Sequence, residues 1–317
     1  MKPPSDTALI GIDWGTTAAR AYRIDSNGVM LDERHASLGI QHVRNGAFAE
    51  ALSSLLGDWR SYEVPRIACG MIGSRQGWIE APYRECPVAV ADLARDTTPS
   101  PDGEIVVVSG LSCRDSMGVP DVMRGEETQV VGLLEGLAAD TLIVQPGTHS
   151  KWTHVGRGPD GGATIESFAT YMTGEVFAVL REHSILGRLM NQDDAFNPDA
   201  FDRGARHGLA STVGGDVLHK IFAARTLILF NELAPAAASD FLSGVLIGSE
   251  VAAGMQWSGL ATRDVPVWLA GGAALSARYV YALALAGVEA HLAPEHVAAQ
   301  GLWRLAVHAG LVPQPPH

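Results

Sequence analysis

The sequence predicts an α/β protein built from two lobes, and three observations carry this prediction. The chain has 317 residues, more than the roughly 250 to 300 at which one hydrophobic core stops growing. Strand patterns stand early in each half of the chain, with helix patterns behind them. A strand, a glycine-threonine turn and a returning strand occur twice, at Gly15 and at Gly147, as in a degenerate internal repeat. We therefore expect an N-terminal lobe over 1–118 and a C-terminal lobe over 119–317.

Composition and charge argue against several classes of function. The chain carries 35 acidic and 23 basic residues, a formal net charge of −12, and such a surface repels phosphate backbones and anionic lipid. Cys69, Cys86 and Cys113 lack Cys-x-x-Cys spacing, which argues against a disulfide framework or a structural zinc site. No signal-peptide pattern occurs, and no apolar stretch reaches the roughly 18 residues of a membrane span. We expect a cytoplasmic protein without nucleic-acid or membrane partners.

The first part of the chain has the pattern of a small sheet followed by a helix. Residues 8–13 form an apolar run, and residues 18–24 and 29–34 alternate between apolar and polar, joined by an Asn27-Gly28 turn signal. This pattern predicts a three-stranded antiparallel meander. Apolar residues at helical spacing then predict a helix over 46–59.

The middle of the chain predicts short strands and the second copy of the repeat. Strands are expected near Ile67 and over 105–109, and the polar, proline-rich stretch 94–103 is expected to be a surface loop. A helix over 126–138 precedes a buried strand over 141–145.

The C-terminal third is predicted to be mostly helical, broken by a strand over 265–270. The apolar segment 241–253 suits either a core or a dimer face, so a homodimer stays open, and we favour the core. The helices are expected at about 174–183, 199–210, 215–230, 236–255, after the Gly-Gly of GGAALS, and at about 294–309.

Two glycine-threonine turns are the candidate phosphate-binding motifs, and a Gly-Gly junction before a helix is the candidate adenosine-binding motif, because it lets a planar ring or a phosphate approach the backbone closely. Backbone N–H groups and small hydroxyls suit contact with phosphate oxygens, and Asp13 before the first turn could hold Mg²⁺. The alternative for one such turn is an ordinary hairpin, and for the junction simple packing, but the second copy favours a shared ligand. A strand ending in Gly-Gly before a helix also favours negative charge. The candidate residues are Gly15, Thr16, Thr17, Gly147, Thr148, Ser150, Gly271, Gly272 and Ala273.

The order of these motifs resembles the sugar-kinase branch of the actin, Hsp70 and hexokinase superfamily. Four longer stretches are similar to those of the 2-keto-3-deoxygalactonate kinases. They are GMIGSRQGWIEAPY (70–83), DVMRGEETQVVGL (121–133), PGTHSKW (146–152) and MTGEVF (172–177). The resemblance covers the chain from Ile10 to about Ser276. It implies a two-lobed actin-like ATPase (ribonuclease H-like) fold with the nucleotide cleft between the lobes.

The resemblance also implies an activity. It implies that ATP with Mg²⁺ phosphorylates a sugar acid, 2-dehydro-3-deoxy-D-galactonate, at its terminal C6 hydroxyl in galactonate breakdown. In related kinases a carboxylate at the start of the helix before the second phosphate turn acts as the base. Glu126 and Glu127 occupy that place in this sequence, where the usual residue is Asp, and acidic residues there also suit simple helix capping. We favour Glu126 as the base and Asp13 as the Mg²⁺ ligand.

Substrate contacts are expected from a loop rich in glycine. Arg75 suits bidentate binding of the substrate carboxylate, Gln76 suits its hydroxyls, and Trp78 offers a flat apolar face. Arg20 follows the first turn and is expected to face the same site. Lys151 suits either a phosphate or acid contact or a solvent-facing position.

Two other functions stay open. One is a kinase for another sugar or sugar acid of the same fold, since stereochemistry at one carbon is not legible in a sequence. The other is a catalytically silent nucleotide or sugar sensor, which the intact Asp13 and the carboxylate pair disfavour because a pure binder needs no base. His149, in the second turn, is expected to be a turn residue rather than a catalyst.

Overall fold

A computed structural model of the chain describes residues 6–134, 137, 140–158, 161–191, 195–210, 216–259 and 265–314. The chain divides into two compact units. Unit 1 comprises Met1–Ala139, Val155–Ser167 and Pro294–His317, and unit 2 comprises Asp140–His154 and Phe168–Ala293. The expected helix ends at 138 and 215 lie outside the described residues.

Strands lie mainly before residue 172 of the described chain and helices mainly after it, and most of these elements fall where the patterns predict them. The strands are β1 Thr7–Trp14, β2 Ala19–Asp25, β3 Met30–Ala36, β4 Arg66–Cys69, β5 Tyr83–Glu85, β6 Val88–Ala89, β7 Thr97–Pro99, β8 Val106–Val108, β9 Gly110–Arg114, β10 Pro120–Met123, β11 Thr141–Gln145, β12 Ser150–Arg157, β13 Ala163–Tyr171, β14 Val267–Leu269 and β15 Ala290–Leu292. The helices are α1 Phe48–Leu56, α2 Val90–Arg95, α3 Glu126–Leu133, α4 Thr173–His183, α5 Pro198–Leu209, α6 Val217–Lys220, α7 Ala223–Leu229, α8 Ala238–Ser258, α9 Ala273–Leu285 and α10 Val297–His308.

The first sheet of unit 1 has the strand order β3-β2-β1-β4-β8-β7. Strands β1 to β3 form the expected antiparallel meander, and β1 also pairs in parallel with β4. The Asp25 side chain accepts the backbone N–H groups of Asn27 and Val29 at 2.8 Å, which fixes the turn at Gly28 (φ +83°). The surface-loop prediction for 94–103 is wrong in its middle, because β-favouring threonines place β7 beside β8.

Helices α3 and α10 pack closely in unit 1. A Cβ atom added at Gly132 would lie 1.9 Å from the carbonyl oxygen of Val297, and one at Gly301 would lie 1.8 Å from that of Thr128. The two glycines therefore let the backbones of the two helices touch. Through this contact, α3 and α10 both belong to unit 1. The sequence prediction places both helices in the C-terminal lobe, which begins at residue 119.

In unit 2, β11 pairs in parallel with β14 and β14 with β15, in the strand order β15-β14-β11-β12. Helices α5 and α8 meet through two glycines on each helix. At each of these positions an added Cβ atom would lie 2.1 to 2.3 Å from a carbonyl oxygen of the other helix. The glycines are Gly204, Gly208, Gly244 and Gly248.

The segment Pro235–Ser258, which contains α8, is long and apolar enough by composition to cross a membrane. However, 72% of its most apolar window is buried inside the protein, which is typical of a core helix. Most of the apolar side chains over 241–253 lie in the cores of unit 2. The core position favoured from the sequence for this segment is therefore confirmed.

Candidate active site

The first glycine-threonine turn joins β1 to β2. Its backbone is tied to the next 3₁₀ turn, because the carbonyl groups of residues 15–17 accept the N–H groups of residues 39–41 at 3.1 Å. Gly39 is required for this approach, since a Cβ atom there would lie 2.3 Å from the carbonyl oxygen of Thr16. The turn is therefore held rigidly at the end of β1, where Asp13 lies.

Asp13 is half-buried and lies opposite Arg20 in the register of β1 and β2. The Cys69 thiol lies 3.9 Å from its Oδ1 atom, as a weak donor. Burial raises the pKa of Asp13, the Arg20 guanidinium lowers it, and the Glu126 carboxylate raises it again. Carboxylate oxygens are the hard donors that a magnesium ion prefers, and Asp13 is the carboxylate at the end of β1 that could supply one beside phosphate and water ligands.

The two glutamates that begin α3 differ in burial. Glu127 is fully buried, and its carboxylate accepts the Gly125 N–H at 2.6 Å and the Thr128 hydroxyl at 3.1 Å. Burial, reinforced by the Glu126 charge, raises the pKa of Glu127 to about 8. Glu126 is only half-buried, and its Oε2 atom accepts the Arg124 N–H at 3.0 Å. Glu127 therefore caps the helix, while Glu126 keeps an accessible carboxylate.

Two glycines bring Asp13 and the start of α3 together. A Cβ atom at Gly70 would lie 2.7 Å from the Trp14 carbonyl oxygen and 3.5 Å from Asp13 Oδ1. A Cβ atom at Gly125 would lie 3.1 Å from the Gly70 Cα atom. Both glycines have positive φ angles, +91° and +106°, which L side chains rarely adopt. The ends of β1 and β4 and the start of α3 therefore converge.

The predicted substrate loop follows β4 in unit 1. The Arg75 side chain is 87% exposed, with its Nε atom 3.7 Å from Glu80 Oε1, and Gln76 is exposed as well. Trp78 stacks on Phe48, with ring centroids 6.2 Å apart and planes at 12°. One face of this indole is thus occupied by the core, whereas Arg75 and Gln76 are free to reach a ligand.

A buried arginine braces the same loop and was missed from the sequence. Arg124 Nη2 donates to the Ala81 carbonyl oxygen at 2.7 Å, and its guanidinium lies 4.2 Å from the centroid of the Tyr83 ring. Because Arg124 directly precedes Gly125, it links the substrate loop to the start of α3. In the sequence, only its position directly before Gly125, Glu126 and Glu127 indicates that Arg124 belongs to the site.

The second glycine-threonine turn joins β11 to β12 in unit 2 and is supported by the start of α4. The Glu175 N–H donates to the Thr148 carbonyl oxygen at 3.0 Å, and a Cβ atom at Gly174 would lie 2.4 Å from the Gly147 carbonyl oxygen. The His149 ring pairs with the Glu175 carboxylate. Thr148 and His149 are exposed, so the turn presents its backbone and hydroxyl outward.

The residues after this turn lie inside unit 2. Ser150 is buried, and Lys151 is only 4% exposed, so the solvent-facing alternative for Lys151 is wrong. Period-two alternation does not hold here, because β12 starts inside a sheet that is covered on both faces.

The Gly-Gly junction lies next to the second turn. Gly271, Gly272 and Ala273 are exposed, and Gly272 is the N-cap residue of α9. A Cβ atom at Gly271 would lie 3.1 Å from the Pro146 carbonyl oxygen. The structure therefore brings two of the three predicted nucleotide motifs together within unit 2, and the third lies in unit 1.

Sequence comparison places the chain in a family. The model of the 2-keto-3-deoxy-galactonokinase family matches residues 13–305. The chain belongs to this family. It is 35% identical over 312 residues to "Probable 2-dehydro-3-deoxygalactonokinase DgoK1" of Rhizobium meliloti, a match that covers 93% of this chain and 97% of that protein. It is 33% identical over 301 residues to the 2-dehydro-3-deoxygalactonokinase of Escherichia coli, covering 95% and 97%.

Solved structures agree with this family. A crystal structure from Sinorhizobium meliloti, described as a 2-dehydro-3-deoxygalactonokinase, is 35% identical, covers 94% of this chain and 98% of its own, and gives a TM-score of 0.85. A xylulose kinase from Lactobacillus acidophilus, 10% identical, shares the fold at a TM-score of 0.51, over 98% of this chain and 90% of its own. The resemblance inferred from the motifs, the actin-like α/β fold and the kinase class are confirmed.

Proposed function

We propose that this chain transfers the γ-phosphoryl group of ATP to the C6 hydroxyl of 2-dehydro-3-deoxy-D-galactonate. The products are the 6-phosphate and ADP. The observation that carries the proposal is the half-buried carboxylate of Glu126, at the start of a helix that converges with the end of β1 where Asp13 lies, in a chain that matches the family over residues 13–305. Phosphoryl transfer requires mainly positioning, charge neutralisation and a carboxylate near the attacking hydroxyl, and this arrangement supplies the carboxylate.

Glu126 acts as the general base in this proposal. Its carboxylate takes the proton of the C6 hydroxyl as the oxygen attacks the γ-phosphorus, and the bond from that phosphorus to the β-phosphate oxygen breaks. The Arg124 N–H, which donates to Glu126 Oε2, fixes the orientation of the carboxylate. Glu127 holds the helix start in place and does not exchange the proton.

Asp13 is the proposed magnesium residue. Mg²⁺ brought by ATP would neutralise charge that develops on the transferring phosphoryl group. The pairing of β1 with both β2 and β4 holds Asp13 in position. Arg20, opposite Asp13 on β2, lowers the pKa of this carboxyl and so favours its charged form.

The remaining contacts are proposed separately for each unit. In unit 1, residues 15–17 contact phosphate, Arg75 binds the substrate carboxylate, Gln76 and Arg20 bind oxygen atoms, and Trp78 packs on the sugar chain. In unit 2, nucleotide contacts come from the second turn and the Gly-Gly junction, and Lys151 is the proposed contact for substrate or phosphate. The nucleotide residues of unit 2 are Gly147, Thr148, Gly271, Gly272 and Ala273. Ser150, predicted from the sequence as a direct contact, is fully buried and acts through Gly147, whose N–H donates to its hydroxyl oxygen.

Location and assembly are also proposals. Cys69, Cys86 and Cys113 lack the spacing of a disulfide framework, which suits a reducing compartment, and we infer a cytoplasmic location. The substrate is a small sugar acid, and the net charge of −12 disfavours nucleic acid and anionic membranes as partners. A homodimer stays a prediction.

The test is ADP release from Mg-ATP by the purified protein. The acceptors are 2-dehydro-3-deoxy-D-galactonate, its gluco epimer and several neutral sugars, assayed in parallel. Turnover with the galacto acid well above the others is the expected result. Activity with another acceptor would retain the kinase but overturn the substrate. ATP binding without turnover on any acceptor would favour a sensor.

A further inference from the structure

A buried glutamate in α8 has no part in the mechanism proposed above. Glu250 is 3% exposed and lies within the apolar helix over 238–258. Its Oε1 atom accepts the Trp152 indole N–H at 2.9 Å, and its Oε2 atom accepts the Tyr279 hydroxyl at 2.5 Å. The Thr173 and Ser150 hydroxyl groups also lower the pKa of this carboxylate.

The donors to Glu250 come from three different elements of unit 2. Ser150 and Trp152 begin β12, Thr173 begins α4, and Tyr279 lies on α9. Each of these elements adjoins the proposed nucleotide contacts. Strand β12 follows the second turn, and α9 follows the Gly-Gly junction. The start of α4 supports the turn, because the Glu175 N–H donates to the Thr148 carbonyl oxygen. One carboxylate therefore links elements of unit 2 on both sides of these contacts, β12 after the second turn and α9 after the Gly-Gly junction.

The connection extends to the turn itself. The Tyr279 and Ser150 hydroxyl oxygens lie 2.9 Å apart, and the Gly147 N–H donates to Ser150 Oγ at 3.5 Å. A chain of polar contacts thus runs from Glu250 through Tyr279 and Ser150 to the first residue of the turn. Polar networks of this kind, when satisfied, fix a single geometry in the interior of a protein.

The burial of Glu250 is unfavourable for folding taken by itself. Burial raises its pKa, and the hydrogen bonds from Thr173, Tyr279, Trp152 and Ser150 oppose that rise. Among the residues that the structure describes, the hydrogen-bond donors to this carboxylate are the Trp152 indole and the Tyr279 hydroxyl rather than a basic side chain. An apolar side chain would fill the same place in α8 without this penalty. Its position therefore calls for a role other than stability.

Asp240 provides an internal comparison in the same helix. It is 9% exposed, accepts the Asn197 N–H at 2.8 Å and lies 3.6 Å from Arg278. The Asn197 contact holds the start of α5, and the Arg278 contact reaches α9. The contacts of Asp240 therefore link α8 to α5 and α9, whereas those of Glu250 link α8 to α9 and to β12, which follows the second turn.

We propose that Glu250 is a positioning residue for ATP, which fixes the second glycine-threonine turn and the Gly-Gly junction in one binding geometry. This inference rests on the proposed function, in which both segments contact the nucleotide. Glu250 contacts them only through Ser150, Tyr279 and Thr173.

The experiment compares four variants of the full chain, E250Q, Y279F, D240N and G147V. A non-hydrolysable ATP analogue is titrated calorimetrically, the KM values for ATP and for the sugar acid are measured, and Tm reports folding. E250Q should weaken analogue binding and raise the KM for ATP about threefold to tenfold, the range expected for one or two lost hydrogen bonds. Its KM for the sugar acid should change by less than about twofold, and Y279F should give the same pattern to a smaller extent.

D240N is the matched control, and it should lower Tm while leaving the KM for ATP unchanged. An unchanged ATP affinity in both E250Q and Y279F would overturn the proposal. A KM for ATP that rises equally in E250Q and D240N would also overturn it. If E250Q does not fold, Y279F alone decides the outcome.

G147V separates this inference from the proposed function on which it rests. Among the described residues nothing lies within 4 Å of a Cβ atom at Gly147, so the variant should fold. Its side chain would obstruct phosphate at the turn. If G147V leaves ATP affinity intact, the assignment of the turn is wrong and the inference falls with it. If G147V weakens ATP binding and E250Q and Y279F do not, only the role of Glu250 is wrong.

Discussion

The first glycine-threonine turn follows Asp13, a half-buried carboxylate, whereas the second leads into Ser150, whose hydroxyl contacts Tyr279, a donor to the buried Glu250. Both turns follow a buried strand, β1 or β11, that also pairs in parallel with a later strand. Their supports differ. The first turn is held by backbone hydrogen bonds from residues 39–41, and the second by the start of α4 and a side-chain network.

This difference teaches how one local motif can serve two tasks. Carboxylates beside the first turn remain accessible, so they can bind a cation or accept a proton. The carboxylate behind the second turn is saturated with hydrogen-bond donors, so it can orient neighbours but cannot react. We infer that the first turn belongs to the chemical step and the second to nucleotide positioning, and the predictions below test that division.

The largest effect is expected from the base beside the first turn. Glu126→Gln removes the proposed proton acceptor and should lower kcat about 10²-fold to 10⁴-fold, with smaller changes in KM. Steady-state kinetics with Mg-ATP and the sugar acid provide the measurement. Glu127→Gln is the matched control, because it changes the adjacent carboxyl to an amide inside the helix cap, and its kcat should fall far less. A larger loss in Glu127→Gln would exchange the two roles.

The next effect concerns the substrate loop. Arg75→Ala removes an exposed guanidinium and should raise the KM for the sugar acid about tenfold to a hundredfold, because a charge-assisted hydrogen bond is lost. The KM for ATP and Tm should stay close to those of the parent. Arg95→Ala, which removes an exposed guanidinium paired with Asp92, is the control and should leave the KM for the sugar acid unchanged. An equal change in the two variants would remove Arg75 from the site.

The support of the second turn gives a smaller effect on a different constant. In Gly174→Ala the new methyl group would overlap the Gly147 carbonyl oxygen, so the turn must shift, and the KM for ATP should rise about tenfold. Gly204→Ala introduces a similar overlap, with the Phe241 carbonyl oxygen in the α5 and α8 contact. It should lower Tm without changing the KM for ATP. If both variants change only Tm, the second turn does not position the nucleotide.

Local patterns were sufficient to predict the elements that surround the first turn. Alternation and the Asn27-Gly28 signal predict the meander because each strand has one buried face and a tight turn between neighbours. The same patterns miss β7, where the prolines of the loop 94–103 outweigh two threonines in the prediction. They also miss the short strands β5, β6, β9, β10 and β15, which are too short for periodicity to register.

The site is less predictable because its decisive contacts join residues far apart in the chain. Glu250 meets Trp152 and Tyr279, and a sequence shows only that one acidic residue interrupts an apolar helix. The choice between Glu126 and Glu127 depends on which side of α3 packs against α10, a tertiary contact. Motif composition could indicate the residue types at the site, and packing decides which of them remain accessible.

The smallest effect is a pH dependence of stability that arises at the cap of α3. Burial raises the pKa of Glu127 from the ordinary value of 4.5 to about 8. The folded protein therefore holds a proton that the unfolded chain has released over this range. The stability from this group is complete below pH 4.5 and is lost as the pH rises through about 8. Glu127→Gln keeps the site neutral at every pH, so its Tm relative to the parent should rise between pH 4.5 and about pH 8 and stay level above that. Thermal unfolding at constant ionic strength measures this difference, and a difference that is flat or falls with pH would show that Glu127 is ionised in the folded protein at neutral pH.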